Sequence, residues 1–498
     1  MALIQITDLT FTYPGSFDPV FEHVSFQLDT DWRLGLTGRN GRGKTTLLHL
    51  LQGQYPHQGT ITAPGGFEYF PYPIPDAALT PLELLECSFP DVPQWRLRRE
   101  LAPLFVTDDA LYRPFSTLSG GEQAKILLAL LFAREGRYLL IDEPTNHLDE
   151  TGRALVSRYL AKKSGFLLVS HDRAFLDGCV DHILSINRGG IEVQKGNFSS
   201  WYENRQRQDA FELAQNAQLK KEIGRLKQAA RQSRAWADKV ESTKIGPHSA
   251  KVTGEADAMG GRAYIGEQSR RMQQRRKNLE RRQNAAIEEK SALLKNIEQA
   301  APLKLHQLPY HTDRLALLRD VSVCYGGAPV CRGVSFCVEQ GDRIALRGAN
   351  GTGKTSLLRL LCGEDVPHTG TVERSSRLRI SYVRQDPSGL RGDLGAYAAR
   401  YGLDESLFKA ILRKLDFARV QFEKDMADFS AGQKKKVLLA RSLCEPSHLL
   451  VWDEPLNYVD VLSRMQIEDL LLEFQPTIVF VEHDRVFCDH VATKAVML

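Results

Sequence analysis

Residues 38–45 read Gly-Arg-Asn-Gly-Arg-Gly-Lys-Thr and residues 348–355 read Gly-Ala-Asn-Gly-Thr-Gly-Lys-Thr, so the spacing GxxxxGK[ST] occurs twice in one chain. In such a loop the glycines let backbone N–H groups close on phosphate oxygens, and the start of the following helix adds partial positive charge. Lys44 and Lys354 are placed to reach the outer phosphates of a nucleotide, and the hydroxyls of Thr45 and Thr355 suit a magnesium ion. Farther along each half, an apolar run (Tyr138-Leu139-Leu140-Ile141, Leu449-Leu450-Val451-Trp452) ends in an acidic pair, Asp142-Glu143 or Asp453-Glu454. The aspartate suits the metal and its water shell, and the glutamate suits polarising an attacking water. A lone strand-end carboxylate is usually just solvated, but here each stands in register with a phosphate loop.

That register extends beyond the loops. Lys354 follows Lys44 by 310 residues, Ser430 follows Ser119 and Asp453 follows Asp142 by 311, and His483 follows His171 by 312. One module of roughly 200 residues is therefore written twice. The elements expected to position the loops are strands: Leu3-Ile4-Gln5-Ile6 and Val24-Ser25-Phe26-Gln27-Leu28 alternate, then Arg33-Leu34-Gly35-Leu36-Thr37 feeds the first loop, with a helix from Thr45 to Leu51 after it. Arg343-Ile344-Ala345-Leu346 feeds the second loop in the same way. Strand, glycine loop and helix in that order predict an α/β fold of the phosphate-loop type in each half.

The chain has 498 residues, 42% of them apolar, enough for about three units with buried cores. No stretch approaches 18 consecutive apolar residues and the N-terminus alternates like a strand, so neither a membrane span nor a secretory signal is expected. Eight cysteines occur without a CxxC pair, which argues against a zinc or iron–sulfur site and for free thiols in the cytoplasm. The charge is uneven. Residues 201–300 hold 21 Lys+Arg against 13 Asp+Glu, a net of +8, whereas the whole chain is +4. Excess positive charge in one segment suits a polyanion such as RNA, and equally an ordinary solvated helix.

Residues 203–236 and 267–299 are rich in Gln, Arg, Lys, Glu and Ala and nearly lack Gly and Pro, which predicts two long helices. Leu219, Ile223, Leu226 and Ala230 follow 4-3-4 spacing, while Met272, Leu279, Ala286, Leu293 and Ala300 fall seven apart, seams that would close an antiparallel hairpin. Between them Gly246, Pro247, Gly254, Gly260, Gly261 and Gly266 predict a tip loop over about 238–266. The expected division is 1–202, a linker of 203–300, and 301–498.

Leu118-Ser119-Gly120-Gly121-Glu122-Gln123 and Phe429-Ser430-Ala431-Gly432-Gln433-Lys434 each place their serine 23 residues before the aspartate of the acidic pair. This signature resembles that of the ATP-binding-cassette (ABC) proteins. The resemblance implies two cassettes facing head to tail, with two ATP and Mg²⁺ sandwiched between the phosphate loop of one and the signature of the other. It implies that Gly38, Asn40, Gly41, Gly43, Lys44, Thr45 and Thr46 line one ATP with Ser430 and Gly432. Gly348, Asn350, Gly351, Gly353, Lys354, Thr355 and Ser356 would line the other with Ser119, Gly120 and Gly121. Tyr13 and Tyr325 would stack on adenine. His171 and His483 would be switch histidines beside catalytic Glu143 and Glu454, and Asp149 and Asp460 would form D-loops. Thr45, Asp142, Thr355, Asp453 and Gln385 would contact the metal.

Two departures stand out. Setting Glu68-Tyr69-Phe70-Pro71-Tyr72 against Ser381-Tyr382-Val383-Arg384-Gln385 puts Tyr72 where the family has the glutamine that Gln385 supplies. Ala431 replaces a signature glycine, and its methyl is expected to crowd the close approach to phosphate. Both fall in the same composite site, so the two sites should be functionally unequal.

Two cassettes on one chain, no membrane segment and a basic helical hairpin between them make the chain similar to the ABC-F family over essentially its whole length. Within that family the Tyr72 substitution, the Glu454-Pro455-Leu456-Asn457-Tyr458-Val459-Asp460 segment and the long tip loop resemble the Lsa/Vga-type antibiotic-resistance proteins. The 46 residues between Tyr72 and Ser119 are too few for the inserted arm of the housekeeping members. The resemblance implies an ATPase that binds the ribosomal E site as a monomer with an intramolecular cassette dimer. Its hairpin would reach the P-site tRNA and peptidyl-transferase centre, countering lincosamides, pleuromutilins and streptogramin A. Arg225, Arg231, Arg234, Arg271, Arg275, Arg276, Arg281 and Arg282 would grip RNA, and Met259, Tyr264 and Ile265 would lie at the tip. A housekeeping ABC-F translation factor is the alternative. The ATPase of a transporter with a separate permease is a third, but it would leave the basic hairpin idle.

Overall fold

The computed structural model describes residues 2–498 except 16–17, 135, 147, 188–189, 245–302 apart from 274, 281 and 282, and 304, 306 and 326–327. Two compact units emerge, one formed by residues 1–201 with 300–498 and the other by 202–299.

In the larger unit each half carries a mainly parallel sheet and a small antiparallel one. The first half orders its strands Phe67–Phe70, Tyr138–Asp142, Phe166–Val169, Arg33–Gly38, His182–Asn187 and Gly190–Lys195, all parallel except the last. The second half repeats the pattern with Ile380–Val383, Leu449–Asp453, Ile478–Val481, Arg343–Arg347 and Lys494–Met497. Central strands such as Phe-Leu-Leu-Val at 166–169 and Ile-Val-Phe-Val at 478–481 are buried at every residue, as strands covered on both faces must be. Leu3–Phe11 instead alternates, with Ile4, Ile6 and Leu9 inward, and pairs with Phe21–Asp29 and Gln58–Thr62.

This strand order positions the site. Phe166–Val169 lies between the strand that ends in the phosphate loop and the strand that ends in Asp142, so three carboxyl ends open side by side. Ligands of open α/β sheets bind at such carboxyl ends. The register also supports matching Glu68 with Ser381: Glu68 pairs with Leu139 and Ser381 with Leu450, and 450 − 139 is again 311.

The halves meet at Arg173, whose Nη2 donates to Glu468 Oε2 with both side chains about a tenth exposed or less. Within the second half, His490 Nδ1 lies 2.6 Å from Glu468 Oε1.

One helix, Phe198–Lys244, runs past Asp238, where the tip loop is expected to start. No glycine or proline interrupts it between Gly224 and Gly246, which explains the extra turns. On that helix Ile223 is buried and Leu219 and Leu226 are half-buried, in keeping with the 4-3-4 seam. Gln274, Arg281 and Arg282 are helical; the rest of the expected second helix and tip lies outside the described residues.

Candidate functional site

Both phosphate loops turn into their helices, Lys44–Leu51 and Lys354–Cys362, through a glycine in the left-handed region: Gly43 at φ 89° and Gly353 at φ 84°. A Cβ at Gly43 would also stand 2.6 Å from Val20 Cγ1, so the position excludes a side chain twice over. Lys44 Nζ donates to the carbonyls of Gly38 (2.7 Å) and Arg39 (3.2 Å) and to Asn40 Oδ1 (3.3 Å); Lys354 Nζ donates to those of Gly348 (2.7 Å) and Ala349 (2.8 Å). Each lysine is folded back on its own loop, and desolvation lowers the pKa of both. Tyr13 Oη lies 2.7 Å from Thr46 Oγ1 and Tyr325 Oη 3.1 Å from Ser356 Oγ, which brings each aromatic to the start of the phosphate-loop helix.

The acidic pairs stand at the strand ends as expected. Glu143 and Glu454 both adopt left-handed backbone, φ 50° and 46°, a conformation that non-glycine residues hold only under constraint from their surroundings. His171 Nε2 is 3.3 Å from Glu143 Oε1, and His483 Nε2 is 3.3 Å from Glu454 Oε1.

The two glutamates otherwise differ. Glu454 Oε2 accepts from Gln385 Nε2 at 2.9 Å and Asn457 Nδ2 at 2.6 Å. Burial raises its pKa, but His483, Gln385 and the charge of Lys435 outweigh that and leave it at about 2. Tyr72, aligned with Gln385, packs its ring against Phe89 at 5.0 Å between centroids. Burial and the neighbouring Asp142 charge push the Glu143 carboxyl up to about 8.

The aspartates test the site for a metal ion. Asp453 is fully buried, the Thr355 hydroxyl is the side-chain donor nearest its carboxylate, and burial outweighs that donor and pushes its pKa to about 6. A buried carboxylate with so little compensation is costly, and a divalent cation is a partner that would relieve it. Asp142 Oδ2 accepts from Thr45 Oγ1 at 3.2 Å and from Tyr69 Oη at 3.0 Å. The residues therefore fit magnesium held by a hydroxyl, a carboxylate and phosphate oxygens.

Each signature serine caps its helix: Ser119 with Glu122 before Gly120–Ala133, and Ser430 with Gln433 before Ala431–Cys444. Gly120, Asn146 and Leu148 of the first half line a cavity of about 460 Å³ together with Tyr325, Asn350, Gly351, Gly353, Lys354, Thr355, Ser356, Gln385, Glu454 and His483 of the second. A head-to-tail composite pocket is thus formed at the second phosphate loop. Around the first loop the protein closes on itself. Asn40 Nδ2 donates to the Tyr458 carbonyl at 2.9 Å, the Asn40 N–H to Asp460 Oδ2 at 3.4 Å, and a Cβ on Gly432 would stand 2.4 Å from Tyr458 O. Ala431 is exposed and Gly432 buried, so within the protein it is Gly432 that meets the Tyr458 carbonyl.

The family model described as "ABC transporter" matches residues 21–68 and 331–457. Along nearly the full chain, 26% of residues are identical to the ribosome protection protein VmlR of Bacillus subtilis, over 99% of this chain and 87% of that protein. The ATP-binding protein Uup of Caulobacter vibrioides is 29% identical over 96% of this chain and 75% of its own. The chain is similar to ABC-F ATP-binding proteins over nearly its whole length. Its ATP-binding-cassette regions make it an ATPase. Solved structures share the tandem fold: archaeal ribosome recycling factor aABCE1, in complex with the stalk protein aP1, matches with a TM-score of 0.62 at 18% identity over 98% of this chain and 87% of that one. RNase-L inhibitor matches at 0.58 and 18%, over 93% and 82%. Among the described residues no helix is long and apolar enough to cross a membrane, and all eight cysteines are free thiols.

Of the predicted RNA-contacting arginines, Arg225, Arg231, Arg281 and Arg282 are exposed. The side chains of Arg234, Arg271, Arg275 and Arg276, and the tip residues Met259, Tyr264 and Ile265, lie outside the described residues. The sequence assigned no role to Tyr69, Asn457 or the Lys434-Lys435-Lys436 run. Lys435 and Lys436 are in fact 0% and 2% exposed, and Lys436 Nζ donates to Asp460 Oδ2 at 2.9 Å. The only hint lay in their helical phase, next to apolar Val437 and Leu438.

Proposed function

We propose that this ABC-F ATPase binds the ribosome, with the basic 203–300 segment on RNA, and protects translation from antibiotics that act at the peptidyl-transferase centre. The observation that carries the reading is the match to a ribosome protection protein over 99% of the chain, linker included. The net +8 between residues 201 and 300 and the exposed Arg225, Arg231, Arg281 and Arg282 support a phosphate-rich partner.

In this reading ATP draws the cassettes together, with Lys44 and Lys354 released from their loop carbonyls to phosphate. Magnesium would be held by Thr45 and Asp142 at one site and by Thr355, Asp453 and Gln385 at the other, neutralising phosphate charge. Glu454, ionised and fixed by Gln385, Asn457 and His483, polarises the attacking water at the second site. Glu143 is the corresponding residue at the first.

Co-sedimentation with ribosomes in a non-hydrolysable ATP analogue tests the partner. Salt-sensitive pelleting is expected, and a chain that stays in the supernatant at low salt removes the reading. Lincosamide, pleuromutilin and streptogramin A susceptibility with and without expression then separates protection from a housekeeping translation role.

A further inference from the structure

Lys435 sits on the signature helix Ala431–Cys444 with no exposed surface, and its Nζ donates to two backbone carbonyls, Arg384 O and Glu454 O, each at 3.0 Å. Burying an ammonium costs several kcal/mol unless fixed partners replace water. Desolvation lowers its pKa against the opposing pull of Glu482, Asp453 and Glu454. Its two acceptors are telling. Arg384 immediately precedes Gln385, and the side chains of Gln385 and Glu454 meet at 2.9 Å. One cation therefore holds the main chain on both sides of the hydrogen bond that orients the glutamate.

We propose that Lys435 is a positioning residue for hydrolysis at the second composite site, a strut that ties Gln385 and Glu454 to the signature helix. The first half provides the internal contrast. Its matching residue is Ala124, 311 positions earlier, and there the glutamine is replaced by Tyr72, whose ring lies on Phe89. Glu143 still adopts φ 50° in the half that carries Ala124, so the left-handed turn does not need the lysine. What the ammonium adds is the tie to Arg384. Three residues before Lys435, Gly432 packs against Asn40 of the first phosphate loop, so the strut also anchors second-site chemistry to the helix seated on the first site.

The inference rests on Glu454 as the water-polarising residue. The test uses the full chain, with Lys435→Met (similar length, no donor) and Lys435→Gln (an amide donor). In a Glu143→Gln background, Lys435→Met should lower kcat about tenfold to a hundredfold, the worth of a charged hydrogen bond, with fluorescent-ATP affinity within about threefold. Lys435→Gln should recover part of that loss. In a Glu454→Gln background the Met change should cost no further turnover, because its effect passes through that carboxylate. A kcat within about twofold of the parent, equal losses in both backgrounds, or a loss expressed in ATP affinity would overturn the proposal. If Lys435→Met does not fold, Lys435→Gln decides: reduced kcat at unchanged affinity supports the strut, and normal kcat or weakened ATP binding refutes it. Glu454→Gln alone retaining turnover would instead defeat the base assignment, a result distinct from a normal Lys435→Met enzyme beside an inactive Glu454→Gln one.

Discussion

Gln385 Nε2 donates to Glu454 Oε2 at 2.9 Å, whereas Tyr72, the residue matched to Gln385 in the first cassette, lies against Phe89. One carboxylate is thus held ionised among donors, and the other is buried beside its own neighbouring aspartate.

Turnover should therefore run mainly through the second site. Glu454→Gln is expected to lower single-turnover hydrolysis by at least about tenfold more than Glu143→Gln, each tenfold being about 1.4 kcal/mol of barrier. Gln385→Ala should remove roughly 1.5–3 kcal/mol, a tenfold to hundredfold loss, with ATP still bound. Rapid-quench measurements on the single variants decide this; equal losses for the two glutamates would remove the asymmetry.

A methyl at the second signature should matter at position 432 and not at 431. Gly432→Ala places a Cβ 2.4 Å from Tyr458 O and should weaken ATP-driven closure, read as a several-fold fall in kcat/KM. Ala431→Gly should leave turnover within about twofold, because that methyl is exposed. A large gain from Ala431→Gly would restore the crowding expected from sequence.

Arg173 and Glu468 join the cassettes as a nearly buried pair. Removing Arg173 leaves the buried Glu468 with only His490, so Arg173→Ala should cost about 1.5–3 kcal/mol, the worth of a hydrogen bond to a charged group, and lower the thermal midpoint. A double-mutant cycle with Glu468→Gln should show coupling well above about 0.5 kcal/mol. Additive effects would mean that Glu468 is held by His490 of its own cassette and that Arg173 and Glu468 do not couple the halves.

RNA grip and ATP chemistry should separate at the linker. Reversing Arg225, Arg231, Arg281 and Arg282 should weaken ribosome pelleting and flatten its salt dependence, by about one unit of log-log slope for each phosphate no longer neutralised. Replacing Lys244–Gly266 with a short Gly/Ser linker should leave basal ATPase intact and abolish drug protection. Full protection with that replacement would favour the housekeeping role.

The sequence by itself determined the tandem α/β cassettes, the phosphate loops, the acidic pairs and the offset of 311, because glycine spacing, apolar strands and strand-end carboxylates are local requirements that leave local marks. It also marked Tyr72 as a departure. What it could not determine was distance between residues remote along the chain. Only the tertiary structure decided that Gly432, not Ala431, meets the first loop, that Asn40 spans 418 positions to Tyr458, and that two lysines of a charged run turn inward to Asp460, Arg384 and Glu454. A buried cation and a solvated one are the same letter; its worth depends on which carbonyls and carboxylates the fold brings within hydrogen-bonding reach.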